Sequence, residues 1–241
     1  MELADACSSS RVKGKTPGPD GITQEIIQRA YNAIPQTFQA VYGTLLTRGY
    51  HPRCWREAVG ITLAKPNKPD YSTPKAYRII SLLNCLGKVL ERILAKRLGD
   101  MAESGPLLHE SQMGGRRQRS AVDTALLLTD CVERNKAKGH KTSAAFLDIK
   151  GAFDHVSKAR LLGTLIKLRL PYSVVSWTRS FLEDRQIRLT FDGQIEELTK
   201  VDTGVPQGSP ISPILFLIYI RDLFSDLKDV TPYRILTILG Y

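Results

Sequence analysis

The sequence predicts an α+β protein, on three observations. Amphipathic helical stretches such as SLLNCLGKVLERILAKRL mix irregularly with short apolar runs such as VGITLAKP and SAAFLDI. Asp192-Gly193 joins QIRLTF to IEELTKV in the manner of a β-hairpin. No regular β-α-β alternation runs through the chain, which argues against a doubly wound parallel sheet. At 241 residues, 42% of them hydrophobic, the chain can bury a full core in one large domain or two small ones.

Taken in order, residues 1–20 are rich in Ser, Gly, Lys and Pro and are expected as loop. Helical patterning covers ITQEIIQRAYNAI and the stretch from Phe38 to Leu46. VGITLAKP alternates Val59, Ile61 and Leu63 onto one face of a strand, which hands over to the loop KPNKPDYSTPK and a short strand AYRII. A helix from Ser81 then lines up Leu82, Leu83, Leu86, Leu90, Ile93 and Leu94. A second fits SAVDTALLLTDCVERNKA, with Gly139 ending it. SAAFLDI is nearly all apolar, as a central buried strand is. Helices follow over 158–169 and 172–182, then the hairpin. The loop GVPQGSPISP leads into a helix ILFLIYIRDLF, with Ser212 as N-cap and Pro213 at the first helical position. YRILTIL reads as a last strand.

Charge narrows the function classes. The net charge is +10, and the excess of Lys and Arg sits mainly in the first half, which suits a polyanion such as nucleic acid or a triphosphate. The longest apolar run, Pro213 to Ile220, is far short of the ~18 residues that suggest a membrane span. MELADACSSS lacks the basic start and apolar stretch of a signal peptide. Cys7, Cys54, Cys85 and Cys131 stand far apart, with no C-x-x-C pair for zinc and no support for a disulfide framework. A reducing compartment, nucleus or cytosol, is expected.

Two stretches carry chemistry. In AFLDIKGAFDHV, Asp148 ends an apolar run, where a carboxylate either faces solvent or needs a partner such as Mg²⁺. Asp154 either helps it or caps the following helix. In GVPQGSPISPILF, glycines let the backbone approach a bulky ligand while prolines stiffen it, and Gln207 offers hydrogen bonds on two sides. Read alone, this loop reads slightly better as a structural turn between hairpin and helix.

Together and in this order, the stretches resemble the reverse transcriptase domain of non-LTR (LINE-like) retrotransposons. KTPGPDGI is similar to the family's N-terminal GPDG segment. ITLAKP with YRIISLLNCLGKVLERILAKRL is similar to its first fingers block, and HESQMGGRRQRSAVDTA to the second. AFLDIKGAFDHV is similar to the first palm aspartate block, and GVPQGSPISPILF to the Gln-Gly loop. The resemblance runs from about Lys15 to Tyr241.

The resemblance implies a right-hand polymerase fold: a loop segment over 1–20, fingers over 21–140 and a partial palm over 141–241, without a thumb. The implied reaction is Mg²⁺-dependent addition of deoxynucleoside triphosphates to a DNA primer on an RNA template, with two metal ions. Asp148 matches the first metal-binding carboxylate, assisted by the backbone carbonyl of Ile149. Phe153 stands where a bulky side chain excludes a ribose 2′-hydroxyl; without the family it reads as a core Phe. Lys65 and Arg78 match the cations that hold the incoming triphosphate. Gln207 and Gly208 line the nucleotide pocket. Arg116, Arg117 and Arg119 either track nucleic-acid phosphates or form a solvated charged turn.

The chain departs from the family at Ile79, where a proline follows the arginine, and at Gly115, where an aromatic is usual. ILTILGY matches the strand that leads into the family's Asp-Asp turn, which is expected beyond Tyr241. Negligible polymerisation by residues 1–241 alone is therefore expected. The competing readings are a non-catalytic nucleic-acid-binding remnant and a group II intron maturase fragment. A viral RNA polymerase fits less well because of Phe153, and a hydrolase built on Asp148 and Asp154 leaves the other blocks unexplained.

Overall fold

The computed structural model describes residues 2–8, 16–144, 146, 149–191 and 193–223. In chain order its elements are α1 (Glu2–Cys7), α2 (Gln24–Ala33), α3 (Pro35–Arg48), β1 (Glu57–Ala64), β2 (Tyr77–Leu83), α4 (Cys85–Ser104), α5 (Ala121–Ala137), α6 (Lys158–Lys167), α7 (Tyr172–Leu182), β3 (Gln186–Phe191), β4 (Gln194–Lys200) and α8 (Ser212–Tyr219). Local chemistry sets many of these bounds. The Thr23 hydroxyl accepts from the Ile26 amide at the start of α2, and Pro35 opens α3, where a missing N–H costs nothing. Ser120 and Asp123 form a reciprocal capping box on α5, and the Ser157 hydroxyl caps α6.

The architecture is α+β. One sheet has the order β2-β1-β3-β4. β1 pairs antiparallel with β2, from Ala58↔Leu83 to Ala64↔Tyr77. It pairs in parallel with β3, from Glu57↔Gln186 to Ile61↔Thr190. β3 and β4 form the expected antiparallel hairpin, with a register shift between Arg188 and Thr190. The parallel pair is joined by a long crossover that carries α4 to α7.

Among the described residues, a hydrophobic cluster extends from Ala6 in α1 to Ile218 in α8. Its spine is α4, which buries Val89, Leu90, Ile93, Leu94 and Leu98. α1 is clamped to α4 by Arg97, whose Nε and Nη2 donate to the two Glu2 carboxylate oxygens at 2.9 and 2.8 Å. In α7, Trp177 stacks on Phe181 with centroids 4.9 Å apart. His51 stands edge-on to both and to Trp55. The buried Arg56 guanidinium ties this region to the start of β1, donating to the carbonyls of His51 and Glu183 and to the Ser180 hydroxyl.

Several expectations are corrected. Residues 1–20 are not all loop: Leu3, Ala6 and Cys7 recur at helical spacing and dock α1 on α4, a stripe hidden by the Ser-rich composition that follows. The deeply buried face of β1 carries Ala58 and Gly60, while Leu63 is 44% exposed. Small residues win that face because the Ile187 and Leu189 side chains of β3 fill the space over Gly60. The helix after β2 starts at Cys85, not Ser81. Leu82 and Leu83 suit either period, and pairing with Val59 and Ala58 draws them into the sheet.

SAAFLDI contributes no strand among its described residues, and Phe146 is 82% exposed. A buried strand needs neighbours for its backbone groups. Among the described residues, no strand flanks this segment. Ala145, Leu147 and Asp148 lie outside the described residues, as does YRILTIL. α8 begins with Ser212 itself, whose hydroxyl donates to the Pro206 carbonyl at 2.8 Å instead of capping, and ends at Tyr219.

Two outcomes test this packing. Trp177→Ala is expected to cost about 3–5 kcal/mol in urea unfolding, the loss typical of emptying a large aromatic site. His51 is buried, and the polar group its ring meets is the Trp55 backbone, which offsets only part of the cost of charging it. Burial, with the nearby Arg185 charge adding, lowers its pKa from 6.5 to about 3. The folded value lies below the unfolded one, so protons favour the unfolded chain. The stability at stake is present above about pH 6.5 and is lost as pH falls toward 3. His51→Phe is therefore expected to flatten the loss of stability between about pH 6.5 and 4. Urea midpoints across that range check it, and an unchanged slope contradicts it.

Candidate functional site

The site forms where two loops meet the edge of β2. The first is the turn of residues 151–156, closed by the His155 amide donating to the Gly151 carbonyl at 3.0 Å. The second is the Gln-Gly loop of residues 204–211. They are joined by two backbone bonds: Val205 N–H donates to the Phe153 carbonyl and Gly204 N–H to the Val156 carbonyl, each at 2.9 Å. The Phe153 ring leans on Phe216 of α8 at 5.3 Å and is half-buried. Ser157 and not Asp154 caps α6, so Asp154 remains exposed beside this junction.

The loop then crosses to the sheet. Ser81 N–H of β2 donates to the Gln207 carbonyl at 2.7 Å, so Gln207 covers one position of a strand edge that is otherwise open among the described residues. Gly208 follows at φ +118, and a Cβ there would lie 2.6 Å from the Ser81 carbonyl oxygen. Only glycine accepts both the backbone angle and the contact. Beneath the loop, the Ser209 hydroxyl donates to the Glu91 carboxylate of α4.

Arg78 lies three residues along β2 from Ser81, about 10 Å at strand spacing, opposite Leu63 and half-buried. Lys65 sits just past the end of β1. Its amide donates to the Ala76 carbonyl at 2.8 Å and its Nζ to the Lys75 carbonyl at 3.0 Å. Phe153, Gln207, Gly208 and the Arg78 strand are thus brought to one region through hydrogen-bonded backbone.

The basic turn is arranged differently. Arg116 is largely buried and donates to Glu103 and to the Ala102 carbonyl. Arg119 donates to the carbonyls of Glu110 and Gln112. Arg117 keeps a 62% exposed side chain, paired with Asp100 on α4. Gly115 has φ +73, and a Cβ would lie 2.8 Å from Leu217, so an aromatic does not fit this turn as built.

Ile149 is 41% exposed and Asp148 is outside the described residues. Among the described residues, no three His, Cys, Asp or Glu side chains converge on a point that could hold a metal ion. No described helix is long and apolar enough to cross a membrane. An open groove of about 690 Å³ lies elsewhere, at the end of the sheet among Tyr71, Tyr77 and Phe191.

Ser81, Ser209 and Glu91 hold the Gln-Gly loop and were not singled out from the sequence. For Glu91 a signal exists: a lone acid between Leu90 and Ile93 in the apolar stripe of α4.

Comparison with known proteins agrees with the motifs. Residues 64–241 match the family model described as reverse transcriptase (RNA-dependent DNA polymerase). The chain is 30% identical over 222 residues to a probable RNA-directed DNA polymerase from transposon BS of Drosophila melanogaster, covering 92% of this chain and 24% of the relative. It is 30% identical over 211 residues to the RNA-directed DNA polymerase from mobile element jockey of the same fly, covering 87% and 23%. A Pol polyprotein from type-1 retrotransposable element R2 of Popillia japonica is 30% identical over 225 residues, covering 92% and 30%. The chain thus spans roughly a quarter of the length of the curated relatives it matches. It belongs to the reverse transcriptase family, in the branch found in non-LTR retrotransposons.

Proposed function

We propose that this chain supplies the fingers (21–140) and the first part of the palm (141–241) of a right-hand RNA-directed DNA polymerase. α1 and the residues around it are proposed to brace the fingers. The substrates in this reading are an RNA template, a DNA primer and deoxynucleoside triphosphates, in the nucleus or cytosol. The observation that carries the reading is the hydrogen-bonded meeting of the Phe153 turn, the Gln207–Gly208 loop and β2.

In this reading Gln207 and Gly208 present backbone and amide to the incoming nucleotide, with Gly208 seated against the Ser81 carbonyl. The Phe153 ring stands against the sugar and leaves no room for a 2′-hydroxyl, with Phe216 behind it limiting retreat. Arg78 and Lys65 hold the triphosphate, Arg78 through a planar fork that can pair two oxygens at once. Arg117 follows nucleic-acid phosphates, while Arg116 and Arg119 hold the turn that presents it. Asp148 and the Ile149 carbonyl, hard oxygen donors, are the proposed ligands of Mg²⁺, which would neutralise phosphate charge when bound.

Two measurements test this. In the protein that carries this segment, Phe153→Val is expected to narrow the preference for deoxy- over ribonucleotides by about 10- to 200-fold, the range of a pocket-size change. Single-turnover incorporation of matched dNTP and rNTP reads it, and an unchanged ratio removes Phe153 from the sugar site. RNA binding by the chain is expected to weaken steeply with salt, and Arg117→Ala to reduce the log–log slope by about 0.7–0.9. A salt-independent affinity, or a slope that Arg117→Ala leaves intact, contradicts the phosphate role.

A further inference from the structure

Glu91 is an unusual residue for its place. It lies on the core-facing side of α4, 1% exposed. Burial pushes its carboxyl above the usual carboxylate range, partly offset by the Ser209 hydrogen bond and by the charges of Arg185, Lys88 and Arg92. A buried carboxyl costs several kcal/mol unless it is paired or hydrogen-bonded. An apolar side chain in the same stripe would avoid that cost.

What Glu91 does hold is the residue after Gly208. The Ser209 hydroxyl donates to its Oε2 and also accepts from the Ile211 amide at 3.3 Å. Ser209 N–H and the Ser212 hydroxyl both donate to the Pro206 carbonyl. On the other side of the loop, Ser81 N–H holds the Gln207 carbonyl at 2.7 Å. Gln207 and Gly208 are therefore bracketed by two anchors, one on the β2 edge and one on α4. Behind Glu91 stands Arg185, 4% exposed, whose Nη1 donates to the Phe181 carbonyl at 3.1 Å and whose charge acts on the carboxyl. The Arg185 charge offsets part of the cost of burying the carboxyl, and one carboxyl oxygen takes the Ser209 hydroxyl.

We propose that Glu91 is a positioning residue: through Ser209 it fixes the Gln207–Gly208 loop in the shape that receives the incoming deoxynucleoside triphosphate. This rests on the nucleotide-site reading of that loop. Glu91 touches no substrate and acts only through the hydroxyl it holds.

The test uses residues 1–241 with Ser209→Ala, Glu91→Leu and Glu91→Gln. Ser209→Ala breaks the link while leaving Glu91 in place, so it stands in if Glu91→Leu fails to fold. Glu91→Gln keeps an acceptor for the Ser209 hydroxyl. One readout is amide hydrogen exchange at Ser81, whose N–H is bonded to the Gln207 carbonyl and to neither altered side chain. The amides of α7 serve as reference. The other is the affinity for a fluorescent deoxyadenosine triphosphate with Mg²⁺.

Ser209→Ala is expected to speed Ser81 exchange at least about tenfold over the reference and to weaken nucleotide binding at least about tenfold. Glu91→Gln is expected to keep both within about twofold of the unaltered chain. The proposal is overturned if Ser81 exchange stays unchanged in Ser209→Ala or rises only with the reference amides. It is equally overturned if the loop loosens while affinity holds. Failure of the unaltered chain to bind the nucleotide counts against the site reading; Glu91's hold on the loop is still decided by the Ser81 amide.

Discussion

The arrangement depends on one backbone hydrogen bond, from Ser81 of β2 to the Gln207 carbonyl. It joins an early sheet strand to a loop that arrives only after the β3–β4 hairpin. Without it, the Ser81 amide would lose its partner on the strand edge, and the loop would keep only its bonds to the Phe153 turn and to Glu91. With it, the Arg78 strand and the Phe153 turn are held at set distances, because the same loop bonds backward to Phe153 and Val156. The close contact of Gly208 with Ser81 permits no side chain between them.

α4 is the platform under this junction. Its apolar face carries the core, its outer Arg97 clamps α1, and Asp100 and Glu103 near its end receive Arg117 and Arg116 of the basic turn. Glu91 connects the same helix to the Gln-Gly loop. The basic turn and the Gln-Gly loop are thus referenced to one rigid element, as precise placement of a nucleotide demands. The exposed ion pairs among them add little stability each. Their value lies in orientation.

Much of this was legible in the sequence, for identifiable reasons. α2, α6 and α7 show a clear helical period, α5 carries both its capping box and its terminal glycine, and Asp192-Gly193 marks the hairpin. The family motifs marked Phe153, Gln207, Gly208 and Arg78, and the structure brings their backbones to one region. What was not legible depends on tertiary partners. Leu82 and Leu83 satisfy either period, and only β1 decides for the strand. The inner face of β1 is set by side chains arriving from β3, more than a hundred residues later. Ser81 opens the expected helix until the loop that takes its amide is in place. The small size of α1 left its stripe below notice.

The central claim is that the Gln207–Gly208 loop, the Phe153 turn and the Arg78 strand form one nucleotide site. Photocrosslinking tests it most directly, with a deoxynucleoside triphosphate carrying a photoreactive base, bound with Mg²⁺ and mapped by peptide sequencing. The account predicts adducts on the peptides containing Phe153, Gln207 and Arg78, all competed by unmodified nucleotide. Competed adducts confined to another surface, such as the Tyr71–Tyr77–Phe191 groove, would contradict it.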